Sequence, residues 1–173
     1  FPAVGDWVAI SEYDQDKVLI HAILPRKTLL ERQAVGKGGE KQIIASNIDA
    51  AFIVQAADRD FKLNRLDRYM SLCNAAGVEA VLVLSKTDLI SPEEEAGIIK
   101  SVKQRHEELR VLPISNISGS GIDALKSRVE KGKTYCLLGS SGVGKSSLTN
   151  ILCPEMTMDI SALSDSTGKG RHT

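Results

Sequence analysis

The residues whose types and spacing carry the clearest chemistry are Gly139-Ser140-Ser141-Gly142-Val143-Gly144-Lys145-Ser146, with Ser147 next in line. They fit the pattern G-x-x-x-x-G-K-S/T at every fixed position. Glycines let the backbone curl so that successive N–H groups point inward at phosphate oxygens. A helix leaving the motif adds the partial positive charge of its N-terminus. Lys145 is placed to reach the β- and γ-phosphates and to stabilise charge in phosphoryl chemistry, and the Ser146 hydroxyl to bind Mg²⁺. The rival reading, a chance glycine-rich turn, is disfavoured by context. The apolar run 134–138 enters the motif and a helical run, 145–152, leaves it.

A second constellation speaks to the base. Ser85-Lys86-Thr87-Asp88 follows the apolar run 80–84, and the C-terminal ends of such strands are where ligands bind in open α/β sheets. It resembles the guanine-reading N/T/S-K-x-D motif of GTPases. There the carboxylate accepts hydrogen bonds from guanine N1–H and the N2 amino group, and the lysine stem covers the ring. Adenine lacks that donor pair and would leave the Asp88 carboxylate unpaired. Ser115-Asn116-Ile117-Ser118-Gly119 follows the run 111–114 and resembles the segment whose backbone N–H meets guanine O6, with Asn116 in place of the usual Ala.

These loops need a scaffold, and the chain supplies a strand–helix alternation from about residue 49. Strands are predicted at 51–54, 80–84, 111–114 and 134–138. Leu66, Tyr69, Met70 and Cys73 recur at helical spacing, and Gly77 ends that helix. Ser91-Pro92-Glu93-Glu94 opens a second helix with an N-cap, a proline and acids in its first turn; it is expected to run to about Glu108. Helices are also expected at 122–130 and 145–152. Such alternation predicts a parallel α/β sheet with right-handed crossovers. The first 46 residues are different: short strand-like runs around Val4–Ile10, Val18–Leu24 and Gln42–Ala45, a glycine-rich loop at 36–39 and no helix, the pattern of a small β-barrel or part of one.

The order of the motifs is unusual. The base motifs, 85–88 and 115–119, precede the phosphate motif, whereas in ordinary small GTPases the phosphate loop comes first. The chain is therefore similar to the RsgA (YjeQ) family of circularly permuted GTPases. Gly5-Asp6-Trp7-Val8 resembles that family's N-terminal barrel signature, Gln42–Asp49 its barrel-to-GTPase junction, and Gly168-Lys169-Gly170-Arg171-His172-Thr173 the start of its switch I threonine run. The resemblance implies an OB-like barrel over 1–46, expected to be incomplete, and a permuted GTPase domain over 47–173, expected to lack its C-terminal part. It implies a GTP-hydrolysing factor in late maturation of the small (30S) ribosomal subunit, a monomeric cytoplasmic protein that binds rRNA. It implies roles for His172 in positioning water and for Thr173 as a second Mg²⁺ contact. Ser85 stands where Asn is commonest in the family. The family's zinc-binding C-terminal domain, its D-x-x-G strand end and the barrel's first strand have no counterpart, so a fragment of a longer protein is expected, with Zn²⁺ belonging only to the part beyond it. Asp165-Ser166-Thr167-Gly168 matches D-x-x-G in letters, but the stretch before it is too polar for a buried strand and is read as switch loop.

Composition narrows the rest. The 173 residues carry 22 Lys+Arg against 22 Asp+Glu, so net charge gives no argument for nucleic acid or a membrane. Locally, Lys17, Arg26, Lys27, Arg32, Lys37 and Lys41 outnumber Glu31 and Glu40; Arg26, Lys27 and Arg32 are the candidate RNA contacts. No apolar run reaches the ~18–20 residues of a membrane span. Cys73, Cys136 and Cys153 are too far apart for a zinc cluster and odd in number, and are expected to be buried or half-buried thiols. His21 and His106 read as structural or surface residues. Two alternatives remain: an ATP-dependent P-loop kinase, which Asp88 disfavours, and a non-catalytic RNA-binding module with a vestigial nucleotide site, which the intact Lys145–Ser146 pair disfavours.

Overall fold

The computed structural model describes residues 1–33, 41–58 and 60–154. The 36–39 loop, Lys37, the 165–168 match and the 168–173 run with His172 and Thr173 lie outside the described residues. The nucleotide-site scaffold is a four-stranded parallel sheet, β5 (Ala50–Ala56), β6 (Glu79–Ser85), β7 (Arg110–Pro113) and β8 (Tyr135–Leu138), in the order β7-β6-β5-β8. Every residue of β5 is buried, as a strand covered on both faces requires.

Alternate residues of β5 feed two hydrophobic layers. Ala51 and Ile53 join a cluster with Leu66 and Cys73 of α1 (Leu63–Ala76) and Val102 of α2 (Pro92–Arg105). Phe52 and Val54 join the other, with Ile122 and Leu125 of α3 (Ile122–Lys126) and Leu148 of α4 (Lys145–Leu152). Phe52 also stacks on Tyr135 of the adjacent strand, ring centroids 5.2 Å apart.

The helix boundaries follow their sequence signals with two exceptions. Gly77 closes α1 in the left-handed region at φ 65°, where a residue without Cβ is unstrained. Ser91 caps α2 in a full capping box: its hydroxyl accepts from Glu94 N, and the Glu94 carboxylate accepts from Ser91 N. That helix stops at Arg105, short of Glu108, because His106 turns away as C-cap and its ring bonds Asp67 of α1 at 2.8 Å. α3 ends at Lys126 rather than 130, since the Tyr135 hydroxyl captures the following chain, donating to Arg128 O and accepting from Glu130 N.

The N-terminal strands are two antiparallel pairs, β1 (Val8–Asp14) with β2 (Lys17–Ile23) and β3 (Leu29–Gln33) with β4 (Lys41–Ser46); the described residues form no closed barrel. The first expected run, 4–10, is replaced by a turn and a later strand. The two pairs differ in burial. All of β2 is exposed, whereas Leu30 and Ala45 of the second pair are buried in the same cluster as Ile53 and Leu66, so the hydrophobic core runs across residue 46.

The three cysteines are free. Burial pushes the thiol of Cys73 up to about 11 and that of Cys136 up to about 12. Cys153, expected to be at least half-buried, is exposed, because it caps the end of α4 beyond Leu152.

Candidate nucleotide-binding site

The phosphate motif is the turn from β8 into α4. Its first glycine is fixed by a close approach: a Cβ on Gly139 would run into the Val54 carbonyl oxygen of β5. The loop is pinned from beneath by Val143, whose side chain is buried in the layer with Leu148. Above that pin, the backbone N–H groups of Gly142, Gly144, Lys145 and Ser146 have no hydrogen-bond partner among the described residues. Buried or half-buried N–H groups are rarely left so, and here they gather at the N-terminus of an eight-residue helix, an arrangement suited to phosphate oxygens.

Lys145 folds back on this loop, donating to Gly139 O at 2.9 Å and Ser140 O at 2.5 Å. Partial burial lowers its pKa from the ordinary lysine value, since two neutral carbonyls do not replace the water taken from the ammonium. The half-buried Ser146 hydroxyl has no partner among the described residues and is free to act as an oxygen ligand. Lysine charge, open amides and a hydroxyl thus fit a nucleotide phosphate with Mg²⁺. Ser140, Ser141 and Ser147 lie in the same turn. The described residues hold no cluster of three or more His, Cys, Asp or Glu that would take a metal by themselves.

The two predicted base loops converge on the same turn. Ser85, at the end of β6, is fully buried and its hydroxyl donates to Val143 O at 2.7 Å. Lys86 adopts φ 60° and sits beside Asp58, Nζ to Oδ2 3.6 Å. Asp88 lies in the 3₁₀ turn Thr87–Leu89, exposed and with no partner among the described residues. Ser115 stabilises its own loop: its hydroxyl accepts from Ile117 N and Ser118 N, and its backbone carbonyl accepts from Gly119 N. Asn116 donates from Nδ2 to Gly144 O at 3.4 Å. All described members of the predicted phosphate and guanine sets therefore meet at one end of the sheet.

The RNA candidates separate. Arg26 makes a two-point bond to Asp6, Nε and Nη2 each 2.7 Å from a carboxylate oxygen. The Asp6 carboxylate also accepts from the Ser46 hydroxyl at 2.6 Å and from Ala3 N at 2.8 Å. Arg26 is thus not an open cation; it is occupied in a latch. Asn47 adds to that latch, donating to Gly5 O and accepting from Lys27 N. The two signatures at 5–8 and 42–49 are therefore halves of one contact, a pairing that their separation of about 40 residues hides in the sequence. Lys17 pairs with Asp14 and Lys41 with Glu31, while Arg32 bonds only the neutral Gln42. Among the described residues, Lys27 and Arg32 are the members of the basic set not answered by a carboxylate.

Comparison with known proteins agrees with this geometry. The family model described as RsgA GTPase matches residues 23–173. A protein of Opitutus terrae named small ribosomal subunit biogenesis GTPase RsgA is 39% identical over 99% of this chain and 49% of its own length. One of the same name from Methanosarcina acetivorans is 37% identical over 99% and 46%. The chain spans about half the length of the curated relatives it matches. The crystal structure of YjeQ from Thermotoga maritima superposes with a TM-score of 0.70 at 26% identity, covering 92% of this chain and 54% of that one. YloQ, described as a circularly permuted GTPase, shares the fold at TM-score 0.62 and 24% identity, covering 98% and 55%. Base loops that precede the phosphate loop, all brought to one end of a β7-β6-β5-β8 sheet, and a family match across most of the sequence give one conclusion: the chain belongs to the RsgA GTPase family.

Proposed function

We propose that this chain binds guanine nucleotides and serves GTP hydrolysis in maturation of the small ribosomal subunit, the activity named for its relatives. The observation that carries the reading is the meeting of Ser85–Asp88, Ser115–Asn116 and the 139–147 turn at one place. Asp88 accepts from guanine N1–H and N2, the Lys86 stem covers the ring, and the backbone at 115–116 meets O6. The open amides of Gly142, Gly144, Lys145 and Ser146 take the phosphate oxygens. Lys145 reaches the β- and γ-phosphates and stabilises charge as water attacks the γ-phosphorus. Ser146 supplies one ligand to Mg²⁺, which neutralises phosphate charge when bound. By family resemblance, His172 positions the water and Thr173 adds a second Mg²⁺ contact.

In the same reading, residues 1–46 are the RNA-facing, OB-like part and 47–173 the nucleotide domain of a monomeric, cytoplasmic factor. Lys27 and Arg32 meet rRNA phosphates. No helix among the described residues is long and apolar enough to cross a membrane.

Calorimetric titration tests the reading. GDP should bind at least about tenfold more tightly than ADP, about 1.4 kcal/mol. Asp88→Asn should weaken GDP and favour xanthosine diphosphate, whose ring presents the exchanged hydrogen-bond pattern. Equal GDP and ADP affinities would refute it.

A further inference from the structure

We propose that Asn116 is a positioning residue that holds the phosphate loop in its binding conformation, coupling the base loop to the phosphate cradle rather than contacting the base itself. The inference rests on the guanine-nucleotide reading above for the identity of the ligand, and on geometry alone for the coupling.

The 115–120 loop is closed largely on itself. Ser115 N donates to Ser120 O, Gly119 N to Ser115 O, and the Ser115 hydroxyl accepts from two further N–H groups. What reaches from it to the phosphate loop is the Asn116 amide, donating to Gly144 O. Gly144 is the hinge of the cradle: it caps α4 with φ 96°, and its carbonyl also accepts the first helical bond, from Leu148 N. A side chain there would crowd the contact, since its Cβ would stand 3.1 Å from Asn116 Nδ2. The preceding carbonyl, that of Val143, is held by Ser85 from the other base loop. Two consecutive carbonyls of the phosphate loop are thus held by one side chain from each base loop, which fixes the direction of the peptide units between Val143 and Lys145. The N–H groups of Gly144 and Lys145, both open, belong to those units. Fixing donors before the ligand arrives removes an ordering cost from binding.

Packing alone does not account for Asn116. Its Oδ1 is buried with no partner, an unfavourable condition that an apolar side chain would relieve. A residue serving only stability would improve on replacement; a residue serving the loop through its Nδ2 would lose function while the fold gained.

The test is titration of inorganic pyrophosphate, guanosine and GDP into the wild-type chain, Asn116→Ala and the near-isosteric Asn116→Leu, with thermal unfolding of each nucleotide-free protein. Pyrophosphate touches only the cradle. Both variants should bind pyrophosphate and GDP about three- to tenfold more weakly, bind guanosine as the wild type does, and unfold at the same or a higher temperature. Unchanged pyrophosphate affinity would overturn the proposal, and a loss confined to guanosine would make Asn116 a base contact instead. If the wild type binds pyrophosphate but not GDP, the guanine reading fails while the hold of Asn116 on the cradle is still read from pyrophosphate.

Discussion

The hydroxyl of Ser85 donates to the carbonyl of Val143 across 2.7 Å, joining the end of β6 to the middle of the phosphate loop. Both groups are buried, so the bond cannot be replaced by water. Ser85→Ala leaves the Val143 carbonyl without this donor, at a cost of about 1–3 kcal/mol. GDP affinity should fall about tenfold while the preference for GDP over ADP stays, because Asp88 is untouched. Calorimetry with both nucleotides checks this, and loss of the base preference would show that Ser85 shapes the guanine pocket directly.

Two glycines should respond differently to alanine. At Gly139 the new Cβ meets the Val54 carbonyl, a backbone atom of the central strand, and β5 and the loop must part. A loss of about 2–3 kcal/mol is expected, the upper range for overpacking. At Gly77 nothing lies within 4 Å of the new Cβ, so the cost is the left-handed backbone alone, about 1 kcal/mol. Urea unfolding of the two variants measures the difference.

The Asp6 latch predicts an acid-sensitive link. Hydrogen bonds from Arg26, first, and from Ser46 hold the Asp6 carboxyl well below the usual carboxylate range. A group whose folded pKa lies below its unfolded one contributes stability that is fully present above the unfolded value, about 3.9, and is lost as pH falls toward the folded value. Asp6→Asn should flatten stability below about pH 4 relative to the wild type, as read by thermal unfolding from neutral to acid pH. Arg26→Ala should lower stability at neutral pH. Lys27→Ala with Arg32→Ala should leave stability unchanged and weaken small-subunit binding, with a shallower salt dependence.

Lys145 predicts opposite trends in affinity and stability at alkaline pH. Its folded pKa is lowered by burial, so the unfolded chain holds this proton more tightly than the folded one, and the nucleotide-free fold gains stability as pH rises through that range. Phosphate binds the protonated form, so GDP affinity should fall over the same interval and binding should take up a proton. Calorimetry in buffers of different ionisation enthalpy reads the uptake, and Lys145→Ala should abolish it.

Much of this was legible in the sequence because the signals were local. α4 begins at Lys145 and ends at Leu152 as its motif and periodicity require, and the capping box at Ser91 and the stop at Gly77 are each written within four residues. The four sheet strands were readable as apolar runs, and the motif order indicated the permutation. What was not legible depends on distant partners. Nothing near Arg26 shows that Asp6, 20 residues earlier, takes its guanidinium. The short α3 depends on Tyr135, and the burial of Leu30 and Ala45 on what α1 offers them. In the sequence Asn116 reads as a tolerated replacement of Ala; only the fold brings Gly144 beside it.

The order of strands has a consequence for how the protein is made. β5 is the first sheet strand to leave the ribosome and lies inside the sheet, flanked by β6 and β8. β6 then adds on one side, β7 outside it, and β8, the last of the described strands, on the opposite side, so each of these newcomers docks on an edge already exposed. Among the described strands, no existing pair must open to admit a later one. During N-to-C-terminal synthesis, the proposed base loops at 85–88 and 115–119 are therefore made before the 139–147 turn. If the proposed site is right, a nascent chain should gain its grip on nucleotide phosphates only after both proposed base loops have been made.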